Sequence, residues 1–151
     1  MTSQDLGKIV REMFEAWNAK DLDRCASHAH PDAKMTTTAF GATVTYREYI
    51  ENWARAFPDG KIELKNLVVQ GDKAIAEFTG RGTHTGPLKG PMGELPATQR
   101  RVELLCVECY EFRGGKVAEG RTYFDAYSLF TQLGIGVPAQ GRPATPTAAR
   151  P

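Results

Sequence analysis

The hydrophobic pattern of this chain changes period once, and that change limits what it can fold into. From Gln4 to Lys20 the residues Leu6, Ile9, Val10, Met13, Phe14 and Trp17 recur at intervals of three and four, the spacing of one helical face. Beyond Pro58-Asp59-Gly60 the pattern becomes strand-like. Ile62 to Val69 and Ala74 to Thr83 flank Gln70-Gly71-Asp72-Lys73, and Arg101 to Phe112 and Val117 to Tyr127 flank Arg113-Gly114-Gly115-Lys116. Each is a hairpin signal. Helices followed by long antiparallel strands predict an α+β layer, a curved sheet covered by helices on one face.

The stretch between these regions is less regular. Asp21 is a candidate N-cap for a short second helix reaching about His28, ended by Pro31-Asp32. Lys34 to Thr38 reads as a short strand, Phe40 to Thr45 as irregular chain, and Tyr46 to Ala56 as a third helix. Tyr49, Trp53 and Phe57 lie four apart, so their rings share one face of that helix, as core or as the wall of a ligand cavity. Gly86 to Ala97 carries three glycines and three prolines, which predicts a surface loop without regular structure over one end of the sheet. Residues 1–134 form one domain in this reading, and residues 135–151, rich in Pro and Ala, a disordered tail.

Charge and cysteine usage exclude several classes of function. The 19 basic and 18 acidic residues leave a net charge of +1, with no basic stripe suited to a nucleic-acid backbone. The N-terminus lacks an apolar signal region and no apolar run is long enough to span a membrane, so a cytoplasmic location is expected. Cys106 and Cys109 are spaced C-x-x-C, but on a strand they face opposite ways, as packed thiols rather than a redox pair or half a zinc site. His28 and His30 have only Asp32 near them in sequence, so no metal is expected. Gly80-Arg81-Gly82 lacks the third glycine and helix of a dinucleotide fingerprint.

Two side chains stand out as candidates for proton transfer. If the last strand is unbroken, Asp125 shares a face with Val117, Glu119, Arg121 and Tyr123. It is then either a half-exposed partner of Arg121, or a carboxylate desolvated among Tyr123, Phe124 and Tyr127 with its pKa raised above the usual ~3.9. His84 ends its strand just before the Gly/Pro loop. It is either a hydrogen-bonded structural residue or an imidazole at a pocket mouth, titrating near ~6.5. Glu77 and Arg81 alternate on the same strand, as surface charges or as members of a polar cluster.

Several segments together resemble the SnoaL-like polyketide cyclase group of the NTF2-like superfamily. They are Phe14-Glu15-Ala16-Trp17-Asn18 before Asp21-Leu22-Asp23, Phe57-Pro58-Asp59, Gly82-Thr83-His84-Thr85-Gly86, Gly115-Lys116-Val117, and Phe124-Asp125 through Gln132-Leu133-Gly134. The resemblance spans about Leu6 to Gly134. Thr98-Gln99 and Arg121 depart from it, the latter standing where many relatives carry Trp.

The resemblance implies an NTF2-like cone: three N-terminal helices packed on a strongly curved, mostly antiparallel sheet around a hydrophobic cavity, and a homodimer through the sheet's outer face. It implies a cofactor-free acid/base enzyme acting on a hydrophobic carbonyl compound, closing a ring in a polyketide ester by an aldol-type step. Asp125 would be the acid/base, with His84 or Arg121 stabilising the oxyanion and Trp17, Tyr49, Trp53, Phe57 and Tyr123 lining the substrate site. Neither a metal nor a nucleic-acid partner is expected. The alternatives are a hydrolase or isomerase of the same superfamily, with Glu77 as second carboxylate, and a non-catalytic binder of an apolar metabolite.

Overall fold

Helix α1 (Ser3–Asn18) starts at a capping box, in which the Thr2 hydroxyl accepts from the Asp5 N–H and the Asp5 carboxylate accepts from the Thr2 N–H. Its apolar stripe buries Leu6, Val10, Met13, Phe14 and Trp17. The computed structural model describes residues 2–136; the tail expected over 135–151 lies, from residue 137 on, outside the described residues. Asp21 caps the short α2 (Leu22–Ala26) by accepting from the Arg24 N–H. A second capping box, Thr45 with Glu48, opens α3 (Tyr46–Ala56).

The main sheet has six strands in the order β2-β1-β8-β7-β4-β3, antiparallel throughout except where β1 runs parallel to β8. The strands are β1 (Ala29–Thr37), β2 (Ala42–Thr45), β3 (Lys61–Gln70), β4 (Lys73–Thr83), β7 (Arg101–Arg113) and β8 (Lys116–Phe124). Both predicted hairpins are present, and α3 matches its predicted bounds. Helices α1 and α3 lie against one face, α1 over β3 and β4, α3 over β1 and β2. Phe14 and Phe78 meet edge to face at 5.0 Å between these layers.

Four local expectations need correction. Strand β1 begins at Ala29, runs through Pro31-Asp32, and absorbs them in a register shift between Ala29 and Lys34. The chain expected to be irregular before α3 includes β2, paired with β1 through Lys34 to Thr37. The Gly/Pro loop folds into a small hairpin, β5 (Leu88–Gly90) and β6 (Gly93–Leu95), turned at Gly93 with φ 102°. Asn52 holds this hairpin to α3 with two hydrogen bonds to the Lys89 backbone, at 3.0 and 3.2 Å. The last strand ends at Phe124, and a fourth helix, α4 (Ala126–Gln132), follows.

Candidate active site

Strand β7 carries the clearest anomaly in the molecule. Its inward positions are Val102, Leu104, Cys106, Glu108, Tyr110 and Phe112, all buried, so one carboxylate interrupts an otherwise apolar face. Glu108 is 6% exposed. Tyr49 on α3 donates to its Oε2, and Tyr110, two residues along the same face, donates to its Oε1. Thr122 stands directly opposite on β8. Burial pushes the Glu108 pKa up; hydrogen bonds from Tyr110, Tyr49 and Thr122 partly offset it. Burial also holds the Tyr49 and Tyr110 hydroxyls protonated, well above their ordinary range.

Glu108 lines a cavity of about 110 Å³ between the helices and the inner face of the sheet. Phe14, Ile50, Phe78, Leu104 and Leu129 contribute to its apolar wall. Four of the expected ligand contacts, Trp17, Tyr49, Trp53 and Phe57, lie in this lining. Trp17 spends its indole N–H on the Ile50 carbonyl at 3.2 Å. Trp53 stacks between Phe40 and Phe57, with ring centroids 6.1 and 6.2 Å away, and its buried Nε1–H has no partner among the described residues. An unpaired donor in a cavity wall is a ready contact for a ligand oxygen.

Asp125, Arg121, Tyr123 and His84 do not line this cavity. Asp125 is exposed and caps α4, its Oδ1 accepting from Tyr127 N–H at 3.0 Å and Ser128 N–H at 3.3 Å. That corrects the expectation of an enclosed carboxylate at this position. Arg121 lies on the outer face and pairs with Glu111 at 3.0 Å and Glu119 at 3.5 Å. Tyr123 is 42% exposed on the same face. Glu77, the proposed second carboxylate, accepts from Asn66 on the exposed side of the β3–β4 pair.

One extra residue explains the displaced side chains of the last strand. Phe112 pairs with Val117, but Glu111 pairs with Glu119, so Ala118 is a bulge in β8. Counting by twos from Val117 points Glu119, Arg121 and Tyr123 inward. The bulge reverses that phase, and the inward residues are Gly120 and Thr122 instead. Only the register shows it. Asn caps a helix about as well as Asp, so Asp125→Asn is expected to shift stability by only a few tenths of a kcal/mol. Turnover should stay within about threefold of the parent, measured beside a urea melt; a hundredfold loss would return Asp125 to the chemistry.

His84 is fully buried. Its Nδ1 accepts from the Thr98 N–H at 3.2 Å, so the neutral ring carries its proton on Nε2. Its ring packs on Phe57 at 5.5 Å, one layer behind the cavity wall. The segment around it is a clasp: Thr85 and Gly86 N–H both donate to the Ala56 carbonyl at the end of α3, and Thr83 N–H donates to Asp59. Burial holds the His84 pKa below its usual value. An unfolded chain therefore takes up this proton first, and stability should fall as pH drops below about 6.5, down to the folded-state value. Urea midpoints measured from pH 8 to 5 should show that slope, and His84→Gln should flatten it.

Comparison with known proteins places these features in context. The sequence profile described as SnoaL-like polyketide cyclase matches residues 7–133. No curated protein sequence matches the chain. Among solved structures, AclR from Streptomyces galilaeus, provisionally assigned as a hydroxylase, is 27% identical, with a TM-score of 0.73 over 88% of this chain and 98% of AclR. TsrD from Streptomyces laurentii is also 27% identical, with a TM-score of 0.74 over 89% and 98%. A protein from Jannaschia sp. CCS1, provisionally assigned as a SnoaL-like polyketide cyclase, has a TM-score of 0.76 at 20% identity over 89% and 95%. The fold is thus the helix-covered curved sheet of the NTF2-like proteins.

Proposed function

The chain belongs to the SnoaL-like polyketide cyclase family, and we propose that it is an acid/base enzyme for a hydrophobic carbonyl compound, with Glu108 as the proton carrier. The observation that carries this reading is a buried carboxyl group in an apolar cavity, its pKa raised by that burial. A carboxyl group in such surroundings exchanges protons nearer neutrality than an exposed one. The reaction proposed is an aldol-type ring closure of a polyketide ester. Glu108 takes a proton from a carbon flanked by carbonyls, that carbon bonds to a second carbonyl carbon, and the resulting alkoxide takes the proton back. The unpaired Trp53 N–H would hold the developing oxyanion.

A substrate-independent test is proton exchange in deuterium oxide. With an aromatic β-keto ester as probe, the protein should accelerate exchange at the activated carbon, followed by NMR, and Glu108→Gln should not. Tight binding without any exchange would favour a non-catalytic carrier of apolar metabolites. A two-carboxylate hydrolase draws no support from Glu77, which bonds to Asn66 away from the cavity.

We also propose a homodimer through the outer sheet face. Val68, Ile75, Leu105 and Tyr123 are 60%, 46%, 65% and 42% exposed there. Register puts Val68 beside Ile75, Ile75 beside Cys109 and Tyr123 beside Val107, so exposed apolar side chains cluster on this face as they do at interfaces. Leu105→Glu is expected to yield monomers in sedimentation velocity where the parent sediments as a dimer; an unchanged parent monomer would end this proposal.

A further inference from the structure

Three glycines lie within the strands of the main sheet among the described residues: Gly80, Gly82 and Gly120. Two have a packing reason. A Cβ on Gly120 would sit 2.6 Å from Met35 Sδ, and one on Gly82 would crowd Phe57, Asp59 and Gly60 at 3.1–3.2 Å. Gly80 has none. Its φ is not in the left-handed region, and a Cβ there would meet nothing closer than Ile62 Cγ2 at 3.8 Å and the Leu104 carbonyl at 4.0 Å. A glycine inside a strand weakens it, so one that neither the backbone nor the packing requires points to space kept open for something else.

Gly80 lines the same cavity as Glu108. On the sheet, Gly80 pairs with Leu104 and Ala76 with Glu108, so the two sites are four residues apart along β7, about 13 Å. Beyond Gly80 the lining continues to Gly82 and to Lys61, whose exposure at the start of β3 marks the cavity's mouth, whereas the Arg81 side chain pairs with Glu63 and Glu103 on the outer face. Gly80 therefore stands at the neck between the enclosed carboxyl group and the mouth.

We infer that Gly80 is a specificity-determining position that keeps this neck open for a ligand longer than the enclosed end. The ligand would be an extended aromatic compound with a hydroxyl or carbonyl group at the Glu108 end and its remaining rings passing over Gly80. This rests on the cavity being the substrate site, as proposed above, but not on Glu108 acting as the base.

Two probes separate the ends of the cavity: phenol, short enough for the enclosed end, and 2-hydroxyanthraquinone, which must cross the neck. Their Kd values are measured by calorimetry for the parent, Gly80→Ala and Gly80→Val, alongside thermal melts. The isopropyl group of Gly80→Val should weaken 2-hydroxyanthraquinone by at least about tenfold, the scale of a misfit of one or two carbons in an apolar pocket, and leave phenol within about twofold. Gly80→Ala should show the same selectivity in smaller measure with no loss of melting temperature, and it carries the test if the valine variant does not fold. Equal weakening of both probes, no weakening of either, or failure of the parent to bind the long probe would overturn the inference. Glu108→Gln should keep the long-to-short affinity ratio. A lack of proton exchange with the Gly80 effect intact would therefore sink the proposed chemistry alone.

Discussion

Glu108→Gln is expected to abolish turnover while making the protein more stable at neutral pH. A positioned acid/base group contributes ~10²–10⁴ in rate, and glutamine keeps the shape of the side chain without the exchangeable proton. Stability moves the other way because the folded protein resists ionising this carboxyl group: its pKa is raised by burial. A group with a raised folded-state pKa contributes stability that is fully present below the unfolded value, near 4.3, and is lost as pH rises through the folded value. At pH 7 and above the parent bears some or all of that loss, and the variant bears none. For a domain of this size each kcal/mol recovered raises Tm by roughly 3 °C. Melts at pH 4 and pH 8 should therefore show the variant's advantage growing with pH. A stabilised variant with full turnover would reject Glu108 as the base, and equal melting curves at both pH values would reject the raised pKa.

Gly86→Ala should be the most damaging single-methyl change in the described residues. A Cβ at this position would lie 2.0 Å from the Arg55 carbonyl oxygen and 3.0 Å from its carbon, both backbone atoms of α3 that cannot swing aside. Relief requires parting the end of β4 from the helix, which breaks the Thr85 and Gly86 hydrogen bonds to Ala56. The expected loss is at least about 3 kcal/mol, read as a lowered urea midpoint with an unchanged slope. Because Ala56 adjoins Phe57 in the cavity wall, surviving folded protein should also bind ligand more weakly. A midpoint within experimental error of the parent would mean that the clasp yields more easily than its geometry implies.

These two residues show how differently the sequence spoke about site and scaffold. The segment Gly82-Thr83-His84-Thr85-Gly86 reads as chemistry because it holds an imidazole between glycines. In the fold its glycines make room for backbone, and His84 buries its ring to hold Thr98. Glu108 was legible in principle, as a lone carboxylate in the apolar phase of Val102, Leu104, Cys106, Tyr110 and Phe112. It lies in no motif, whereas Phe124-Asp125 further on does.

What the sequence determined alone is what depends on local periodicity and local hydrogen bonding. The helical stripe of Leu6 to Trp17, the limits of α3, both long hairpins and the shared face of Tyr49, Trp53 and Phe57 are set within one or two turns of chain, and the residues state them directly; that this face borders a cavity rather than solid core is shown only by the fold. What the tertiary structure decided depends on which strand lies beside which. A bulge at Ala118 exists only relative to its partner β7, yet it turns Arg121 and Tyr123 outward and Thr122 inward. The pairing of Glu108 with Thr122, and the approach of Tyr49 from a helix 59 residues earlier in the chain, follow from long-range register, which no local pattern encodes.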